Sequence, residues 1–246
     1  MKRHFPLISE PPPTVLAAVS TFAGMLSVTI SPLVLTLLMI GSRDNMVLAS
    51  WLQIVYHMLN ILLLVTGYRE YLADSCFTVQ IETDRLISTL AVAVGSILIL
   101  SGGTFIYHLI WGEQWLALAM VPITETEMLM VNSYLVEVNP IFGSLCMILV
   151  VPFTISCMYY GSGFGTVCAR NPWLGYLVVA VLIAIPRLAA AATYAIPSEE
   201  LQLYLVQLPV HLIACWTYQK SDTIWGPIFT LMITNLLSCL LVIFRL

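Results

Sequence analysis

Runs of about 20 or more apolar residues recur along this chain, and no other feature narrows its possible folds so far. Each run is long enough to cross a hydrocarbon layer about 30 Å thick, where a helix meets all of its own backbone hydrogen bonds. Only 9% of the 246 residues are charged and 60% are hydrophobic. A water-soluble domain carries about a quarter charged residues. The expected fold class is therefore all-α: a polytopic membrane helix bundle of about seven transmembrane helices, forming a single membrane domain over 1–246.

The runs place spans at about Thr14–Ile40, Met46–Val65, Leu86–Trp111, Val136–Tyr160, Trp173–Ile196, Leu201–Tyr218 and Ile224–Phe244. Between the second and third lies Arg69–Arg85, whose Glu70, Asp74, Glu82 and Asp84 read as a polar loop. Segment 112–135 contains an apolar stretch too short to span, then Pro122 and the Glu125/Glu127 pair, and is placed in the interface. Pro152 falls inside the fourth span, where it removes a backbone hydrogen bond and leaves a carbonyl for a neighbouring helix or water to meet. The sixth span reads as the shortest. The start Met1-Lys2-Arg3-His4-Phe5-Pro6 leads into Glu10 and Pro11–Pro13, and the apolar run that follows is too long for a cleavable signal.

Basic residues favour the cytoplasmic side of a membrane protein. With the N-terminus cytoplasmic, Lys2, Arg3, Arg69, Arg85, Arg170 and Lys220 lie inside, and Arg43 and Arg245 lie outside. The net charge of −4 is small and the cations are dispersed, which excludes a nucleic-acid surface. Cysteines at 76, 146, 157, 168, 215 and 239 form no C-x-x-C pair and read as small hydrophobes.

Two stretches carry a family resemblance. Pro152-Phe153-Thr154-Ile155-Ser156-Cys157-Met158-Tyr159-Tyr160-Gly161 has a proline and a glycine at the spacing that brackets an E-E-x-x-x-R motif, and Trp173 opens a helix twelve residues later. Further on, Thr223-Ile224-Trp225-Gly226-Pro227-Ile228 leads into a helix carrying Thr234-Asn235, behind Tyr218-Gln219-Lys220. Over about 150–240 this layout resembles the catalytic half of the CPBP intramembrane proteases, the CAAX-processing and bacteriocin-immunity family. The resemblance divides the chain into N-terminal helices at 14–130 and a CPBP-like half at 136–244, and implies a bacterial plasma membrane. In that family, E-E-x-x-x-R, F-x-x-x-H and H-x-x-x-N supply the chemistry: a carboxylate activates water, with its pKa raised by burial. Here the glutamates fall on Ile155 and Ser156, and the arginine on Tyr160. The F-x-x-x-H pair falls on Ile183 and Arg187. The last histidine falls on Leu231, and only Asn235 is kept. Neither serine nor leucine replaces a carboxylate base or a metal ligand, so no catalytic residue and no cofactor or metal is expected.

Candidate cavity or binding residues are Tyr160, Arg187, His211 and Asn235. Arg187 lies deep in an apolar span, where a charge costs at least about 2.5–3.5 kcal/mol and normally faces the bundle interior. It reads either as a cation for an anionic group or as a structural partner, with Glu137 as one candidate. His57, His108 and His211 lack ligand spacing and read as polar contacts between helices. Tyr159 and Tyr160, with Trp111, Trp115, Trp173 and Trp225, suit interfacial aromatic belts. Glu125, Glu127, Glu199 and Glu200 read as solvated loop charge. Gly161-Ser162-Gly163-Phe164-Gly165 lacks the lysine of a phosphate loop and reads as a flexible turn.

Three functions remain open on this reading. The first is an inactive CPBP-like membrane protein that binds membrane lipid and a membrane peptide or partner protein, in a scaffold, immunity or regulatory role. The second is an active intramembrane endopeptidase with its motifs elsewhere, using Glu137, Glu199 or Glu200 as base with His211. The third is a transporter or channel component.

Overall fold

The computed structural model describes residues 43–111, 140–168, 171–194 and 197–244, together with Val19 and Phe22. The predicted span Thr14–Ile40, apart from those two helical positions, and the interfacial segment 112–135 lie outside the described residues. Every long element among the described residues is helical, in accord with the all-α expectation.

Helix α1 is Arg43–Gly67, α2 is Arg69–Ile81 and α3 is Thr83–Trp111. Helix α4 runs on through five pieces: Pro140–Leu145, Cys146–Val150, Val151–Ile155, Ser156–Phe164 and Gly165–Cys168. The second and fourth of these adopt the wider π-helical pairing, a form that recurs at functional or strained positions. Helices α5 (Pro172–Tyr194), α6 (Pro197–Ser221) and α7 (Trp225–Phe244) complete the chain. Two segments are long and apolar enough to cross a membrane by length and composition, Thr83–Leu100 and Pro140–Phe164.

Three sequence expectations are corrected. The polar loop at 69–85 is instead helix α2 and the first turn of α3. Its charges hide a helical period: Tyr71 and Ser75, four residues apart, are buried while Arg69, Glu70 and Asp74 face outward. The glycine-rich turn at 161–165 is helical too. Its small residues admit close neighbours: a Cβ at Gly161 would lie 3.4 Å from the Tyr68 ring, and one at Gly165 would lie 3.0 Å from the Tyr218 hydroxyl. The helix that carries the sixth apolar run extends beyond it. Helix α6 has 25 residues, begins at Pro197 and takes in the supposed loop 197–200, because proline suits a first helical turn.

Helix α6 lies centrally, packed against α3, α5 and α7 and touching the π-helical part of α4. Helix α7 also packs on α3 and on the front of α4, and α1 packs on that same stretch of α4. Tyr204 donates to the Ala180 carbonyl at 3.2 Å and Tyr176 to Gln219 at 3.0 Å, tying α5 to α6. At one end of the bundle, the Tyr68 hydroxyl meets Ser162 and the Tyr71 hydroxyl meets Tyr218, so α1 and α2 are pinned to α4 and α6. Between these layers lies one contiguous apolar cluster that includes Leu64, Ile155, Tyr160, Phe164, Ile183, Ile228 and Leu231.

Candidate functional site

Helix α6 presents two polar side chains one turn apart, Gln207 and His211, and both are buried. The Tyr160 hydroxyl, from the second π-helical stretch of α4, lies 2.5 Å from His211 Nδ1. The Tyr159 ring also stacks near the imidazole, with centroids 6.3 Å apart. Arg187 on α5 donates through Nη2 to Gln207 Oε1 at 2.7 Å. A polar seam therefore crosses the bundle from α5 through α6 to α4. Arg187 is only 4% exposed and Tyr160 and His211 are fully buried.

Of the four candidate residues, this seam unites Tyr160, His211 and Arg187. Asn235 does not join them. Its Nδ2 donates to the Met147 carbonyl at 2.8 Å, and Met147 stands thirteen residues before Tyr160 on α4, on the order of 15–20 Å along the axis. Tyr159 and Tyr160 are 2% and 0% exposed, so they are interior residues and not members of an interfacial belt. Both rings lie close to His211 of α6 from the π-helical stretch of α4.

The positions that the resemblance assigns to catalysis are filled differently. Ile155, Ile183 and Leu231 are all buried within the same apolar cluster. Ser156 is fully buried, and its hydroxyl oxygen meets no partner among the described residues. Arg187 takes a histidine position and is bonded to a neutral amide. Gln207 is the residue that sequence reasoning missed. Its spacing of four from His211 was the available signal, but nothing in the chain marked which helix would face it.

Other candidates fall outside the description. Glu125, Glu127 and Glu137 lie outside the described residues, as do the side chains of His57, His108, Glu199 and Glu200. Among the described residues, no group of three or more His, Cys, Asp or Glu is arranged to hold a metal ion. Cys146, Cys157, Cys168 and Cys215 are buried free thiols, and Cys76 is exposed.

The chain matches no family model, no curated protein and no solved structure.

Proposed function

We propose that this protein is a polytopic integral membrane protein with a CPBP-like helix layout that acts by binding a membrane-embedded peptide or partner helix, without cutting it. One observation carries the reading. Where a CPBP peptidase needs an acid, a base and their helpers, Ile155, Ile183 and Leu231 fill the space as part of one packed apolar cluster. Buried aliphatic side chains neither activate water nor stabilise an oxyanion.

The distribution of polarity supports the membrane setting. In α5 the exposed stripe is Trp173, Leu174, Leu177, Val181, Ile185 and Leu188, while Arg187 is buried. In α6 the exposed Leu201 and Leu205 contrast with the buried Gln207 and His211. In α7 Thr230, Thr234 and Asn235 are buried while Leu236 and Leu237 are exposed. Only 22% of Thr83–Leu100 is buried, although its mean hydropathy is 1.6. Water would penalise such outward apolar surface by about 25 cal/mol per Å², whereas lipid accepts it. Polar groups inside and apolar groups outside is the arrangement a bilayer favours. Helices of 20 to 29 residues in α1, α3 and α5–α7 are long enough to cross it. The N-terminus is cytoplasmic on the distribution of Lys and Arg.

The outward stripe of α5 offers a partner helix an apolar strip more than four turns long. Recognition in this account is lateral, within the bilayer. The test is flotation of proteoliposomes with labelled peptides: a prenylated C-terminal peptide, an unprenylated hydrophobic helix and a polar control. Saturable co-flotation of intact apolar peptide, weakened by polar substitution at Val181 and Ile185, is expected. Equal retention by protein-free liposomes would overturn the reading.

A further inference from the structure

Helix α2 is a short piece between two single-residue joints. Tyr68 separates it from α1 at φ −104° and ψ 14°, and Glu82 separates it from α3 at φ −113° and ψ 37°. Neither pair of angles is helical. Hydrogen bonding nonetheless continues up to each joint and away from it. The Tyr68 N–H donates to the Leu64 carbonyl and the Leu72 N–H to Tyr68, both at 2.8 Å; the Glu82 N–H donates to Thr78 at 2.9 Å and the Leu86 N–H to Glu82 at 3.1 Å. The break is confined to one residue at each end, the form that a hinge takes.

One face of α2 meets the body of the bundle. The Tyr71 hydroxyl pairs with the Tyr218 hydroxyl of α6, and the Ser75 carbonyl accepts from Thr223 Oγ1, in the turn between α6 and α7, at 3.3 Å. At the joint with α1, the Tyr68 hydroxyl meets Ser162 of α4, and the Tyr68 ring lies 3.4 Å from where a Cβ on Gly161 would stand. The opposite face, with Arg69, Glu70, Asp74, Phe77 and Gln80, is exposed.

These contacts stand beside one end of the polar seam. Gly161 directly follows Tyr160, and Tyr218 lies seven residues beyond His211 on α6, about 10 Å along its axis. Tyr160 and His211 are fully buried, so an element must move before anything from outside reaches them. Helix α2 has 13 residues and packs lightly on α1, α3 and α7. Elements with few neighbours open at a lower free energy than the packed core.

We propose that α2 is a hinged lid: it swings about Tyr68 and Glu82, breaks the Tyr71–Tyr218 latch and opens the cleft between α4 and α6, which gives the buried Tyr160–His211 pair its route to water. The lid goes beyond the peptide-binding reading and does not depend on it, because hinges, latch and seam all belong to this chain.

Thiol accessibility in the full chain in nanodiscs tests the lid. Cys157 is fully buried, precedes Ser162 by one π-helical turn and is near enough to Tyr71 to act on its hydroxyl. Cys146 is buried too, but lies eleven residues back along α4, on the order of 15 Å. In a Cys76→Ser background, N-ethylmaleimide should modify Cys157 slowly, as read by mass spectrometry. Tyr71→Phe and Tyr218→Phe each remove the latch, and each should raise that rate roughly three- to tenfold. The double variant should add nothing further, and Cys146 should stay unchanged. Hydrogen exchange should find the α2 amides less protected than those of α6, and less again in both variants. Cys157 reacting no faster in either variant would overturn the proposal, as would equal protection of α2 and α6. So would Cys146 accelerating in step with Cys157, the mark of a bundle that loosens as a whole.

Discussion

Asn235 supplies the donor that Pro152 cannot. In the first π-helical stretch of α4 the Val151 N–H reaches back five residues to the Cys146 carbonyl. The next carbonyl in that pattern, Met147, would call for an N–H at position 152, where proline has none. Asn235, from α7, bonds that carbonyl at 2.8 Å. The one polar position that the family resemblance left intact is thus occupied in bracing α4, well away from the Tyr160–His211 seam.

This relationship makes a defined demand on mutants. Asn235→Ala leaves a buried carbonyl unmet and is expected to cost about 1–3 kcal/mol. Pro152→Ala restores an N–H at the right place, so the same Asn235→Ala change in that background should cost clearly less. A double-mutant cycle by unfolding in mixed micelles measures the coupling. Additive losses would show that the two residues act independently.

Arg187 and Gln207 form the second coupled pair. Gln207→Leu removes a neutral acceptor from a buried guanidinium and should cost about 1.5–3 kcal/mol. Arg187→Leu removes the charge itself, and the double variant should lose less than the sum of the singles, since replacing both partners by apolar groups spares the desolvated charge. Thermal unfolding of the three variants in nanodiscs checks the order.

Glycines divide sharply by what surrounds them. Gly95 has open space about its Cα, so Gly95→Ala should stabilise α3 by about 0.5–1 kcal/mol. Gly163→Ala meets the flexible end of Leu182 at 2.7 Å and should be tolerated after a rotamer change. Gly226→Ala meets Ser221 Oγ at 2.4 Å and the Thr217 carbonyl oxygen at 3.0 Å, and backbone cannot swing aside. A loss of about 1–3 kcal/mol is expected there. Comparing the three Tm values tests the close fit of the α6–α7 turn.

Much of the helical layout could be read from the chain because apolar runs announce themselves by length. Helices α1 and α3 cover the runs at 46–65 and 86–111, α5 covers 173–194 of the fifth run, and α7 covers 225–244 of the seventh. The α2 segment misled because a high density of charge reads as loop unless the buried pair Tyr71 and Ser75 is noticed. Gly161–Gly165 misled for the opposite reason: in a tight bundle, small residues allow helices to approach instead of breaking them. The need for a partner at Pro152 follows from proline chemistry, but that the partner is Asn235 depends on how α7 lies against α4. The same holds for Tyr160 with His211 and Arg187 with Gln207. Those pairs are 51 and 20 residues apart, and no local period connects them.

Recognition without catalysis is most directly tested by mass spectrometry of peptides incubated with the reconstituted protein. Prenylated and hydrophobic transmembrane peptides, mixed with proteoliposomes over a range of pH, should be recovered at full length. They should also match samples holding Ser156→Ala or Arg187→Ala protein. New termini that appear with the wild type and vanish with either variant would contradict the account.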